Sequence, residues 1–588
     1  MSKRAENNKK TKNSESFEVL KKLLKSMGKY KFLIALSVVL AAVCVVLQLY
    51  VPILFGNAID KIVEKNSVNF KEAGACLQKV LIFVVLSSVI TWIMNVINNK
   101  AAYSIVNNLR LKATNRIMKL PLSYLDKKST GDVLSCIIAD ADILSDGLVL
   151  GLTQLFSGIA TIILTLVFMF SKNIPITIMV VLLTPLSFFA AKFISSRSYK
   201  MFKLQSETRA EQTAFADEII GNQKVVKAFG VEDDLSDRFS KINEKLKNYS
   251  LKAVFYSSLT NPATRFVNNI IYALVALFGA LLIPKGLLTV GGLSALLAYA
   301  NQFMKPFNDI SSVVTEMQNA LACASRIFAL IEEKEEKGGE DRILPKVNGN
   351  VDFDNVFFSY DKSKSLIEDF NLSAKEGMRI AIVGPTGCGK TTLINLIMRF
   401  YEADKGAITI DGVNINGVTK HSLRKNIGMV LQDTWIKEGT VRENVAIAKP
   451  DATDEEIIDA AKRAHSYEFI EKMGQGLDTY LTGESLSQGQ KQLLCITRVM
   501  LCMPPMLILD EATSNIDTRT EMLVQKAFDA LMEGRTSFVV AHRLSTIRNA
   551  TLILVMKDGK IIEKGNHTEL IKKGGFYKKL YESQFAKV

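Results

Sequence analysis

Histidine and paired cysteine are scarce in this chain. Its 588 residues include four histidines and seven cysteines, and Cys44, Cys76, Cys136, Cys323, Cys388, Cys495 and Cys502 stand singly, with no CxxC pair and no histidine at ligand spacing. Neither a zinc site nor a disulfide framework is supported. Nor does the start read as a secretory leader: the opening MSKRAENNKKTK is basic, but no apolar core or small-residue cleavage site follows directly. Residues 1–16 therefore read as a disordered basic tail. Charge, finally, is absent from six long stretches, 32–55, 80–99, 147–171, 173–191, 266–284 and 286–304.

Those stretches organise the first half of the chain. The length calls for two or three domains, and an apolar content of 48% with a mean hydropathy of +0.17 is high for a soluble protein. A run of 18 residues makes about 27 Å of helix against a hydrocarbon layer of about 30 Å. Six transmembrane helices are predicted, since only an internally satisfied backbone crosses lipid. The plain alternative for one run, a buried helix of a soluble protein, loses force when six occur together. With no Asp, Glu, Lys or Arg inside any run, ion coupling through a buried charge has no candidate.

The formal charge of +14 is distributed by topology. Segment 100–146 carries Lys100, Arg110, Lys112, Arg116, Lys119, Lys127 and Lys128, whereas segment 56–79 balances Lys61, Lys65, Lys71 and Lys79 against Asp60, Glu64 and Glu72. The positive-inside bias puts both termini in the cytoplasm. The connections after the second and fourth runs, roughly 45 and 75 residues, are too long for turns and are read as helices projecting into the cytosol. Before the first run, FEVLKKLLKSMGKY sets Phe17, Leu20, Leu23, Leu24 and Met27 on one face and Lys21, Lys22 and Lys25 on the other, an interfacial amphipathic helix. The reading divides the chain into the tail 1–16, a membrane domain 17–330, a charged linker 331–346 and an α/β domain 347–588.

In that last domain, IAIVGPTGCGKTTLINLI runs from an apolar strand through a glycine loop into a helix and matches GxxxxGK[ST] from Gly384 to Thr391. Such a loop wraps backbone N–H groups around phosphate; Lys390 reaches the β and γ phosphates and the Thr391 hydroxyl suits Mg²⁺. MLILDE is a strand ending in two carboxylates, with Asp510 placed to hold Mg²⁺ and Glu511 to orient and deprotonate the attacking water.

With these residues in place the chain resembles an ABC transporter half of the exporter type, from about residue 17 to its end. The implied fold is a membrane all-α six-helix exporter domain followed by an α/β P-loop ABC ATPase domain. On that resemblance Tyr360 in VFFSY stacks on adenine, Gln432 in MVLQD is the Q-loop glutamine that senses Mg²⁺ and the membrane domain, and Ser487, Gly489 and Gln490 in LSQGQ form the signature. Asp517 in SNID belongs to the D-loop, and His542 in AHRLSTI contacts the γ phosphate. Gly384, Thr386, Gly387, Cys388, Gly389, Lys390, Thr391 and Thr392 complete the expected nucleotide contacts, with Thr391, Gln432 and Asp510 toward the metal and Glu511, His542 and Gln432 in catalysis. Cys388, bordering phosphate, implies sensitivity to thiol alkylation. Segments near 123–132 and 221–232 resemble the coupling helices, the second of which usually contacts the partner chain.

The resemblance implies ATP and Mg²⁺ as cofactors and a second half-transporter chain as obligatory partner. The Walker-side residues allow a homodimer, while the LSQGQ signature tilts the balance to a heterodimer; the lead-in between Tyr480 and Leu486 is shorter than usual. The expected activity is efflux of hydrophobic or amphipathic compounds across the bilayer of a bacterial plasma membrane, with Asn95, Asn268, Asn269, Tyr299, Asn301 and Gln302 facing substrate or knitting helices. Lipid flipping and peptide export are the near alternatives, although too few residues precede Phe17 for an attached protease. An ATP-gated channel or nontransporting sensor is the alternative of a different class. The six spans argue against a nucleic-acid ATPase.

Overall fold

The computed structural model describes residues 17–63, 69–336, 338, 342–432, 434–483, 485–510, 516–540 and 544–585. Two compact units emerge: residues up to 118 with 129–333, and residues 119–128 with 334–588.

The first unit is helical. A helix over 17–26, α1, leads to α2 (Lys31–Val63) and α3 (Phe70–Ile117). The chain crosses α4 (Leu122–Leu125), which belongs to the second unit, and returns through α5 (Thr130–Ile137) and α6 (Ala139–Leu150). A π-helical turn, Gly151–Leu155, precedes α7 (Phe156–Lys172), α8 (Ile174–Gly221), α9 (Gln223–Phe229), α10 (Glu232–Leu282) and α11 (Val290–Glu332). Polar caps start three of the long helices: Asn69 accepts from the Glu72 N–H at 3.2 Å, Asn173 from Ile176 at 3.1 Å and Thr289 from Gly292 at 2.9 Å. The stretches expected to project beyond the spans are indeed helical, as continuations of α3, α8 and α10.

Among the described residues, five helices are long and apolar enough to cross a membrane, and their most apolar windows are only 11% to 31% buried. So much exposed hydrocarbon suits lipid and not a soluble core. The sixth expected span, 286–304, begins in a turn, and its helix starts only at Val290. Much of this helix is internal. Ala295, Leu296, Tyr299, Ala300, Phe303 and Met304 are buried, and the Tyr299 hydroxyl donates to the Leu49 carbonyl at 2.6 Å.

The expected face of α1 divides in two. Val19, Leu23 and Met27 are buried, whereas Phe17, Leu20 and Leu24 are exposed. A stripe at i, i+4 and i+8 docks on the protein, leaving the other apolar side free for a bilayer surface. Lys22 pairs with Glu332 at 2.7 Å.

The second unit is α/β. Strands β1 (Val351–Phe358), β2 (Ile367–Ala374), β4 (Lys405–Ile410) and β5 (Val413–Asn414) form an antiparallel sheet in the order β2-β1-β4-β5. A six-stranded sheet has the order β12-β11-β3-β10-β9-β6 and comprises β3 (Arg379–Val383), β6 (Ile427–Val430), β9 (Met506–Asp510), β10 (Thr536–Val540), β11 (Leu552–Lys557) and β12 (Lys560–Gly565). Its central strands pair in parallel and are buried along nearly their whole length, as their apolar runs require. The short pair β7 (Gly439–Thr440) and β8 (Tyr480–Leu481) braces the segment before the signature.

Candidate functional site

Parallel pairing gathers the site at one sheet edge. Val540 stands opposite both Ile382 and Asp510, and Val430 opposite Leu509, so β3, β6, β9 and β10 end side by side. Ligands of open α/β sheets bind beyond such carboxyl ends. Here the loop from Gly384 follows β3, Gln432 lies two residues past β6 with its side chain exposed, and Asp510 closes β9. Glu511 and His542 follow β9 and β10 directly in the chain but lie outside the described residues.

The phosphate loop has the necessary backbone. Gly387 has φ +83° and Gly389 φ +100°, left-handed values that let successive N–H groups turn inward before the helix Lys390–Ile397. Lys390 folds back over the loop, its Nζ donating to the carbonyls of Gly384 at 2.8 Å and Pro385 at 2.9 Å. Thr386 and Thr391 are exposed, while Thr392 is buried. Cys388 is buried in the hydrophobic core, and burial pushes its thiol up while nearby Lys390 opposes the shift. A buried thiol held protonated is a poor nucleophile, which runs against the expected ready alkylation.

Tyr360 stands exposed beside the loop, its hydroxyl accepting from Asn395 Nδ2 at 3.1 Å. Its ring meets Phe358 and Tyr401 edge to face, at 4.9 and 4.8 Å. Tyr401 in turn donates its hydroxyl to the Asp126 carboxylate beside α4. Burial and that carboxylate together hold the Tyr401 phenol well above its ordinary range. Segment 119–128 thus groups with the nucleotide unit, so the expected first coupling segment, 123–132, divides at Ser129, where the chain returns to the helical unit.

Ser487 caps the helix Gln488–Cys502: its Oγ accepts from the Gln490 N–H at 3.3 Å, and Gln490 Oε1 accepts from the Ser487 N–H at 2.9 Å. Gly489 is buried against the next helix, where an added Cβ would stand 2.3 Å from the Thr520 methyl. Gln488 is exposed in ordinary helical backbone, so the glycine usual there is not required by conformation. Asp517 caps the helix Thr518–Met532, accepting from the Thr520 N–H at 2.9 Å.

One residue that sequence reasoning missed ties these parts together. Arg498, on the signature helix, donates from Nε to the Asn444 carbonyl at 2.7 Å and from Nη1 to the Trp435 carbonyl at 2.7 Å. It also lies over the Trp435 indole at 5.9 Å. The loop carrying Gln432 and the helix carrying the signature are thereby fastened to one guanidinium. A cleft of about 770 Å³ opens beside them, lined by Leu431, Trp435 and Cys502 among others.

Two families match the chain, one described as the ABC transporter transmembrane region over residues 34–307 and one as ABC transporter over residues 367–514. The chain is an ABC transporter of the exporter type. Among its relatives is a protein named fatty acid ABC transporter ATP-binding/permease protein from Mycobacterium bovis, 39% identical over 88% of this chain and 82% of that one. Another is the putative multidrug export ATP-binding/permease protein YgaD of Bacillus subtilis, 32% identical over 96% and 99%. A solved structure described as a bacterial Atm1-family ABC exporter with ATP bound superposes with a TM-score of 0.77 at 26% identity, covering 95% of this chain and 99% of that one. This ABC transporter is accordingly a multi-pass membrane protein that binds and hydrolyses ATP to drive transport. Half-transporters of this build generally dimerise.

Proposed function

We propose that this half-transporter exports hydrophobic or amphipathic compounds across the bacterial plasma membrane by alternating access, with six spans, α11 supplying the sixth, and both termini cytoplasmic. The convergence of the Gly384 loop, Gln432 and Asp510 on one sheet edge supports the energetic half of this reading. Lys390 and the loop N–H groups hold the phosphates, and Tyr360 holds the adenine. Glu511 takes the proton of the attacking water, and His542 steadies the γ phosphate. The Thr391 hydroxyl, the Gln432 amide and the Asp510 carboxylate are oxygen donors of the kind Mg²⁺ takes. That ion, bound with ATP, would offset charge developing between the β and γ phosphates.

The partner is a second half-transporter chain, read as a different one because Gln488 replaces the usual signature glycine. Ser487 and Gly489 would then close on ATP held by that partner. The exposed helix α9, with Phe229 and Val225 outward, is assigned to the nucleotide-binding domain of the opposite chain. A cavity of mixed polar and apolar lining in the membrane unit supports an amphipathic cargo over a purely apolar one, as does the fatty-acid transporter named among the relatives.

Flux in proteoliposomes tests this. ATP should drive an amphipathic dye uphill, and Glu511→Gln should keep ATP binding while losing about a hundredfold or more of turnover. ATPase stimulation without uphill flux would replace the pump with a channel or sensor. Full activity of the chain purified alone would replace the heterodimer with a homodimer.

A further inference from the structure

The membrane-unit cavity, about 590 Å³, draws on α2, α3, α7, α11 and the π-helical turn Gly151–Leu155. Amides line it: Gln48 from α2, Asn95 from α3, Gln154 from the π-helical turn and Gln302 from α11. Among the described lining residues Lys305 is the only charged one, and none is a carboxylate. At 1.5 Å per residue from Val290, Lys305 lies about 22 Å along α11, immediately after the charge-free stretch 286–304.

A lysine at the end of a span ordinarily snorkels to the interface, whereas charges that face a cavity are retained on substrate paths. Local backbone adds polarity. Pro306, also in the wall, has no N–H to give to the Gln302 carbonyl one turn back. The facing π-helical turn is of a kind that recurs at functional sites. Four amides can donate to an oxyanion, whereas a cationic compound would meet the like charge of Lys305 with no carboxylate among the described lining residues. Val45 and Met94 give the same cavity an apolar side.

We propose that this cavity binds an amphiphile with a single anionic head, of the carboxylate or phosphate-ester class, its head on Lys305 and the neighbouring amides and its alkyl chain along the apolar wall. The proposal rests on the export reading and narrows it.

The test uses the complete transporter with its partner chain in nanodiscs. Dodecanoate, dodecyl phosphate, dodecanol and dodecyltrimethylammonium are titrated below their micellar concentrations while ATPase stimulation is followed. At least one anion should half-saturate about tenfold below dodecanol, with the cation weakest; whichever anion is tighter identifies the head. Lys305→Gln should erase the gap between anion and alcohol, and Lys305→Arg should keep it. The gap is internal to each variant, so a general loss of folding cannot imitate its selective loss. Equal potency of alcohol and anion, or a gap that survives Lys305→Gln, would overturn the proposal. Uphill transport of neutral or cationic compounds without anionic preference defeats this inference alone. Failure to stimulate or move any compound defeats the export reading with it.

Discussion

The two units of this chain place their working groups by different rules. In the nucleotide unit the groups sit at the ends of parallel strands, where hydrogen-bonded register puts Asp510, Val540 and Ile382 in line. In the membrane unit a cavity wall is assembled from helix faces, and no ladder sets one helix against the next. The first arrangement depends on short spacings along the chain and tolerates little change. The second depends on side-chain packing and can be retuned residue by residue.

That difference can be broken in order of expected effect. Lys390→Ala should lower ATP turnover about a hundredfold or more in the purified dimer, because Lys390 is the only cation within the loop 384–392; near-normal turnover would remove Lys390 from its role. Gly489→Ala should cost about 1–3 kcal/mol through overpacking on Thr520. Thermal unfolding would register the loss, and Thr520→Ser, which deletes the crowding methyl, should restore most of it.

The link between Tyr401 and Asp126 should be smaller. A double-mutant cycle with Tyr401→Phe and Asp126→Asn should give a coupling of about 0.5–1.5 kcal/mol in unfolding free energy. Strict additivity would show that the contact contributes nothing. The mildest change belongs to the membrane unit: Tyr299→Phe removes the bond to the Leu49 carbonyl and should cost about 0.6 kcal/mol. A loss of several kcal/mol there would mean that the membrane unit is as register-bound as the sheet. Maleimide labelling followed by mass spectrometry offers a check on burial, with exposed Cys502 modified well before buried Cys388.

Much of the nucleotide unit was legible because its motifs lie in contiguous segments: strand, glycine loop and helix from β3 to Ile397, and the strand that ends at Asp510. Gln432 needed only the end of β6. The contacts that escaped join residues far apart in the chain, Arg498 to Trp435 across 63 positions and Tyr401 to Asp126 across 275. No local pattern encodes them. Burial of Cys388 was hidden for a related reason, since the phosphate loop turns that side chain toward the core.

The membrane unit yielded its helices but not their faces. Long apolar runs identify helices without saying which stripe meets protein, so the docking side of α1 went to Val19, Leu23 and Met27 in place of the broader face expected. Lys305 escaped because the runs were delimited by charge, and the last ended one residue before it. A span defined by the absence of charge cannot contain the charge that matters.

Among α2, α3, α8, α10 and α11, only α3 has no internal proline; the others carry Pro52, Pro185, Pro262 and Pro306. At 1.5 Å per residue α3 is a rod of about 70 Å without a joint, and its C-terminal end leads into the segment that contains Asp126. A tilt of about 5° at one end would displace the other by about 6 Å. In mechanical terms α3 is a stiff pushrod, whereas the helix that carries Lys305 has its articulation at the next residue.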